Sequence, residues 1–126
     1  MTRILIIDDQ ADIRRLIRWT LEFEDYEIHE ANNGPAGIEQ ARAVKPDLVL
    51  LDVMMPGGLD GFQVCEQLRA DPELSTTKVL MLTARSQQRD RQAGERAGVD
   101  AFLTKPFSPM QLVETVSSML KKTTSA

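Results

Sequence analysis

Ile4-Leu5-Ile6-Ile7-Asp8-Asp9 is the stretch that decides the fold. Four apolar residues without alternation read as a strand covered on both faces, and two acids follow at once. The pattern recurs three times. Asp47–Leu51 runs into Asp52, Lys78–Leu82 into Thr83, and Ala101–Thr104 into Lys105 and Pro106. Parallel strands of one sheet would carry all these polar side chains to a single carboxyl edge, the place where open α/β sheets bind ligands. Three carboxylates, a hydroxyl and an ammonium then converge in one crevice.

Between the runs lie amphipathic stretches. Ile13, Leu16, Ile17 and Leu21 recur at helical spacing, while Tyr26–Ala31 alternates weakly and reads as a more exposed strand. Asn32-Asn33-Gly34 makes a turn, and Pro35 suits the first turn of a helix through Val44. Lys45-Pro46 ends that helix, because proline pushes the preceding residue out of the α region. Leu48–Leu51 is the third strand. Asp60 or Gly61 opens the next helix, with Phe62, Cys65 and Leu68 on one stripe. Val79–Leu82 is the fourth strand. Ser86–Ala97 predicts a polar helix weakened by Gly94 and closed by Gly98. Phe102 and Leu103 lie in the fifth strand. Ser108-Pro109-Met110-Gln111 supplies a Ser N-cap, a proline at the first position and the glutamine of a capping box. Leu112, Val113, Val116, Met119 and Leu120 continue the stripe. Lys121 and Lys122 fall in the last turn, where the helix dipole favours cations. Residues 123–126 read as a frayed tail, leaving 1–122 as the domain. The order is (βα)5, which predicts a parallel sheet with right-handed crossovers and helices on both faces.

At 126 residues, 42% apolar and 27% charged, the chain makes one domain with an adequate core. Its net charge of −4 argues against nucleic acid as a direct ligand, since backbone phosphates demand a basic face. No apolar run approaches the roughly 20 residues of a membrane helix. A strand begins almost at residue 1, so no signal peptide is expected. The single cysteine, Cys65, excludes an internal disulfide and suits a reducing cytoplasm.

Four motifs together resemble the receiver domain of two-component response regulators over essentially the whole chain: Ile6-Ile7-Asp8-Asp9, Leu50-Leu51-Asp52-Val53-Met54-Met55-Pro56, Leu82-Thr83-Ala84 and Thr104-Lys105-Pro106-Phe107. The resemblance implies a flavodoxin-like, doubly wound five-stranded sheet in the order 2-1-3-4-5. It implies that a sensor histidine kinase or histidine phosphotransfer protein phosphorylates one aspartate, and that the switched domain controls a downstream effector protein. With no helix-turn-helix or catalytic domain after Leu120, a stand-alone, chemotaxis-type signalling protein in the cytoplasm is expected. It would catalyse only its own phosphorylation and dephosphorylation. A phosphorelay intermediate is the alternative.

The residues carry this chemistry one by one. Asp52 is the expected phosphoacceptor, since an ionised carboxylate can attack phosphorus. Asp8 and Asp9 beside it repel unless a cation sits among them. Three carboxylates and Lys105 sum to −2, which one Mg2+ would neutralise with oxygen ligands. By resemblance, Asp9 and Asp52 ligate directly, Asp8 acts through water, and the Met54 backbone carbonyl completes the protein ligands. Lys105 is a point charge for a phosphoryl oxygen, and in the family its bond to Pro106 is cis. Thr83 offers a switch hydroxyl, and the small Ala84 leaves room for the phosphoryl group. Phe102 matches the family's switch aromatic, though its residue type reads equally as core. Met54 and Arg85 would flank the path of a hydrolytic water.

The fourth helix, fifth strand and fifth helix make the expected output face, with Arg85, Arg89, Arg91 and Arg96 on or beside it. One departure stands out: Pro56-Gly57-Gly58-Leu59-Asp60-Gly61 is a residue longer than the usual receiver loop. It holds no phosphate-loop motif. His29, the only histidine, falls on a peripheral strand, so the phosphoryl group must come from elsewhere. Cys65 reads as core and Trp19 as partly exposed. A phosphatase of the haloacid dehalogenase type also uses a strand-end Asp with Mg2+. It needs a second Asp two residues on, where this chain has Met54.

Overall fold

The computed structural model describes residues 1–55, 59–84 and 88–124, the side chains of 88–90 and 121–124 excepted. The elements run β1 (Thr2–Ile7), α1 (Ala11–Leu21), β2 (Tyr26–Ala31), α2 (Gly34–Val44), β3 (Leu48–Asp52), α3 (Gly61–Ala70), β4 (Lys78–Thr83), α4 (Gln88–Ala97), β5 (Ala101–Thr104) and α5 (Pro109–Thr124). All strand pairs are parallel, in the order β2-β1-β3-β4-β5. This is the expected flavodoxin-like arrangement.

The unbroken apolar runs are explained by burial on two faces. Leu5, Ile7, Val49, Leu51, Val79 and Met81 pack on one side with residues of α2, α3 and α4, among them Ile38, Val64, Leu68 and Ala97. Ile4, Ile6, Leu48, Leu50, Leu80 and Leu82 pack on the other side with Ile17 and Leu21 of α1 and Leu112, Val116 and Met119 of α5. Neighbouring residues thus serve opposite layers. Each such side chain is worth about 1.5–3 kcal/mol on burial. The central strands β1, β3 and β4 supply most of them, so the carboxyl edge of the sheet rests on the most fully buried part of the core.

Caps set the helix starts. Asn33 accepts from the Ala36 amide at 2.8 Å. Asp60 and Gln63 form a reciprocal capping box at 2.9 Å in each direction. Ser108 and Gln111 do the same at 3.1 and 2.8 Å. Lys45 leaves the right-handed region for φ 52° at the end of α2, ahead of Pro46. Gly98 takes φ 92°, a left-handed turn that glycine adopts without strain, and its carbonyl accepts from Arg69 Nε at 2.9 Å.

Several details differ from the sequence reading. Leu16 is 36% exposed, because the arc of α1 that meets the sheet is the narrow i, i+4 line of Ile17 and Leu21. On α3 the fully buried line includes Val64, while Phe62 is only partly buried. Helix α5 continues to Thr124, two residues past the expected boundary. The start of α4 at Ser86, the loop residues Pro56, Gly57 and Gly58, the side chains of Lys121 and Lys122, and the end of the tail at 125–126 lie outside the described residues. As expected, Cys65 is buried, its thiol donating to the Ala97 carbonyl at 3.3 Å and pushed up to about 11 by burial. Trp19 is exposed. His29 sits on the edge strand β2, 2.8 Å from Glu27.

Candidate phosphoryl-transfer site

The parallel register brings the strand ends together. Ile7 pairs with Leu51, so Asp8 and Asp52 follow side by side. Thr83 pairs with Thr104, and the Lys105 amide donates to the Thr83 carbonyl at 2.7 Å. The cis Lys105–Pro106 bond lies immediately after. These ends line a cleft of about 510 Å3 formed by Asp9, Gln10, Asp52, Val53, Met54, Thr83, Ala84 and Lys105.

One carboxylate oxygen from each of Asp8, Asp9 and Asp52 lies within 4.8 Å of the others. Asp8 is fully buried, Asp52 is 6% exposed and Asp9 faces solvent. Lys105 bridges the two buried acids: its Nζ stands 3.0 Å from Asp8 Oδ2 and 3.3 Å from Asp52 Oδ1. Thr83 is buried at the rim, whereas Met54 is 76% exposed. Burial and then the charge of Asp8 push the Asp52 carboxyl up to about 6, and Lys105 restrains the shift only in part. One ammonium is too little charge for three crowded carboxylates. Clustered oxygen donors with an electrostatic deficit of −2 fit a hard divalent cation of the Mg2+ kind.

Two supporting residues escaped the sequence reading. Gln10 is the N-cap of α1 but makes no side-chain cap bond; its side-chain Oε1 instead accepts from Lys105 Nζ at 3.5 Å, and its backbone N–H donates to Asp8 Oδ1 at 2.8 Å. Arg14 donates to the Asp8 carbonyl at 2.7 Å and pairs with Glu30 at 3.1 Å, fixing the β1–α1 turn. The only sequence signal for Gln10 is adjacency to the Asp8-Asp9 pair, and Arg14, five residues past Asp9, carries none. Gly61 supports the opposite wall: its N–H donates to the Val53 carbonyl at 2.9 Å, and a Cβ there would overlap the Asp52 backbone carbonyl. Of the remaining expected residues, Phe102 stands on β5 against α4, and Arg91 and Arg96 are exposed on α4. Arg85 and the side chain of Arg89 lie outside the described residues.

A five-stranded doubly wound domain with an acid cluster, a strand-end hydroxyl and a lysine at one edge is the architecture of a signalling receiver. A family model described as response regulator receiver domain matches residues 4–117, and the chain belongs to that family. It is 46% identical over 121 residues to the transcriptional regulatory protein ResD of Bacillus subtilis, covering 96% of this chain and 49% of that protein. It is 43% identical over 122 residues to the transcriptional regulatory protein SrrA of Staphylococcus aureus, covering 97% and 49%. The chain thus spans about half the length of these curated relatives. Among solved structures it superposes on the chemotaxis protein CheY4 of Vibrio cholerae with a TM-score of 0.90 at 30% identity, covering 94% of this chain and 98% of that one. A putative response regulator from Chloroflexus aurantiacus gives 0.89 at 33%, covering 95% and 98%.

Proposed function

We propose that Asp52 accepts a phosphoryl group from a phosphohistidine on a partner protein and that the phosphorylated domain controls a second protein. The observation that carries this is the bridge of Lys105 between two buried carboxylates in an acid cluster at the sheet edge. An Asp52 carboxylate oxygen attacks phosphorus in line. The new O–P bond forms as the P–N bond to the donor imidazole breaks, and the departing nitrogen keeps the electron pair. Lys105 offsets charge on a phosphoryl oxygen, with the Thr83 hydroxyl donating to another. Asp9, Asp52 and the Met54 backbone carbonyl would hold Mg2+, with Asp8 acting through water; bound there, the ion neutralises charge on the transferring group. Water attacking the same phosphorus would return Asp52 and end the signal.

Further observations support a protein partner. Helices α1 and α5 both begin at the site edge, and between them lies an apolar groove of about 850 Å3 that includes Leu16, Trp19, Phe23 and Met110. That groove offers a partner protein an apolar surface on the α1–α5 face, separate from the cleft that holds Asp52. No helix of the described residues is long and apolar enough to cross a membrane. A phosphohistidine donor of the two-component kind would meet the domain in the cytoplasm. The output face comprises α4, β5 and α5, reached through Thr83 and Phe102. Direct nucleic-acid binding has no support in the charge balance. The phosphatase alternative gains nothing from the comparisons, and Met54 still stands where its second acid would be needed.

The test is transfer from a purified, autophosphorylated histidine kinase. Radiolabel should move to the wild-type domain and not to Asp52→Ala. Equal labelling of both would remove Asp52 from its role.

A further inference from the structure

Helix α4 holds the sheet with very little. Its sequence, QRDRQAGERA, buries only Gly94 and Ala97 among the residues whose side chains are described. A glycine inside a helix costs about 1 kcal/mol relative to alanine, so its presence needs a reason. The reason is Phe102. The ring stands so close to the Gly94 Cα that a Cβ would overlap Cζ, with Cε1 and Cε2 at 3.0 and 3.2 Å. Arg91, one turn earlier on the same face, lays its guanidinium 5.6 Å from the ring centroid. One turn of α4 therefore makes a seat for the aromatic: a floor at Gly94 and a lid at Arg91.

The seat adjoins the proposed switch. Phe102 pairs with Met81 across β4 and β5, and Thr83 pairs with Thr104. With side chains alternating along a strand, Phe102, Met81 and Thr83 share one face of the sheet. Phe102 and Thr83 are diagonal neighbours there, a spacing at which an aromatic ring reaches its neighbour.

We propose that Gly94 is a positioning residue for Phe102. Its missing side chain lets the ring stand under α4, and the ring leaving that seat is what loosens α4 when Thr83 is drawn to the phosphoryl group. This rests on the reading of Thr83 and Phe102 as the switch pair and deepens it. While seated, the ring supplies the apolar bulk that the helix lacks. Once it leaves, α4 keeps only Ala97 as a fully buried side chain among those described, so a small motion of one ring reaches the output face.

The seat and plain helix propensity make opposite predictions for Gly94→Ala. Propensity alone raises the melting temperature. The seat lowers it while Phe102 is present, by about 4 °C for a domain of this size, and the sign reverses once position 102 is small. The experiment measures melting of wild type, Gly94→Ala, Phe102→Ala and the double variant, with Phe102→Leu as a second background should alanine prevent folding. It also follows amide exchange in α4 before and after phosphorylation by acetyl phosphate with Mg2+. The expected result is the sign reversal, together with α4 exchange in unphosphorylated Gly94→Ala that matches phosphorylated wild type, Asp52 still accepting phosphoryl. Stabilisation by Gly94→Ala in every background would overturn the seat. A sign reversal with α4 exchange unmoved by phosphorylation of the wild type would overturn the coupling by removing the switch reading itself.

Discussion

Replacing Asp52 by asparagine should make the metal-free domain more stable while abolishing its chemistry. The Asp52 carboxyl is raised from 3.8 to about 6, first by burial and then by the charge of Asp8. At about 1.4 kcal/mol per unit, ionising it in the fold costs on the order of 3 kcal/mol at neutral pH. The sign follows from linkage. A carboxyl with a raised folded value favours the fold below its unfolded value, and that contribution is lost as pH rises through about 6. Asparagine removes the cost but also removes one partner of Lys105, which keeps Asp8 at 3.0 Å. A net gain of about 1–2 kcal/mol at pH 7.5 remains, the part lost with the lysine contact being of the order of one charge-assisted hydrogen bond. Urea denaturation without Mg2+ measures it: with a slope of about 1–3 kcal/mol per molar, the midpoint should rise by roughly 0.5–1 M. Near pH 5 about half of the wild type's ionisation cost is gone, so the gap should narrow there. Adding Mg2+ should stabilise wild type and close the gap from the other side. A variant less stable than wild type at pH 7.5, or a gap that ignores pH, would refute the electrostatic reading of the acid cluster.

Lys105→Ala strips the only cation found within 3.3 Å of both buried acids among the described residues. It should cost about 2–3 kcal/mol in urea unfolding at neutral pH, still accept phosphoryl weakly, and fail to change partner affinity in a binding titration. Gly61→Ala drives a Cβ against the Asp52 backbone carbonyl, which belongs to the sheet and cannot yield; a loss of about 1–3 kcal/mol should come with weaker Mg2+ binding by calorimetry. Asp60→Ala removes one half of the α3 capping box and should lower stability by about 1 kcal/mol, with phosphorylation by acetyl phosphate kept.

The sheet was legible because its strands are covered twice. A run such as Ile4–Ile7 has no solvent face to interrupt it, and each run stops where the chain meets the polar edge. For the same reason Asp8, Asp9, Asp52, Thr83 and Lys105 could be gathered without coordinates: strand ends of a parallel sheet share one edge. Helices were less transparent. Periodicity finds a stripe but not the arc that a helix presents to the sheet, so the spacing alone points Leu16 inward and leaves Val64 off the stripe. Gly94 is the sharpest case. In one dimension it is a helix weakener; only the ring of Phe102, from the next strand, explains it. Gln10 and Arg14 were likewise hidden, since their roles depend on where the β1–α1 turn points.

The central claim is that Asp52 takes a phosphoryl group in a site completed by a divalent cation. Intact mass after incubation with acetyl phosphate, with and without Mg2+, for wild type and Asp52→Ala, tests it most directly. The account predicts a single phosphoryl adduct that requires Mg2+ and is absent from the variant. An adduct of equal yield on Asp52→Ala, or one indifferent to Mg2+, would contradict it.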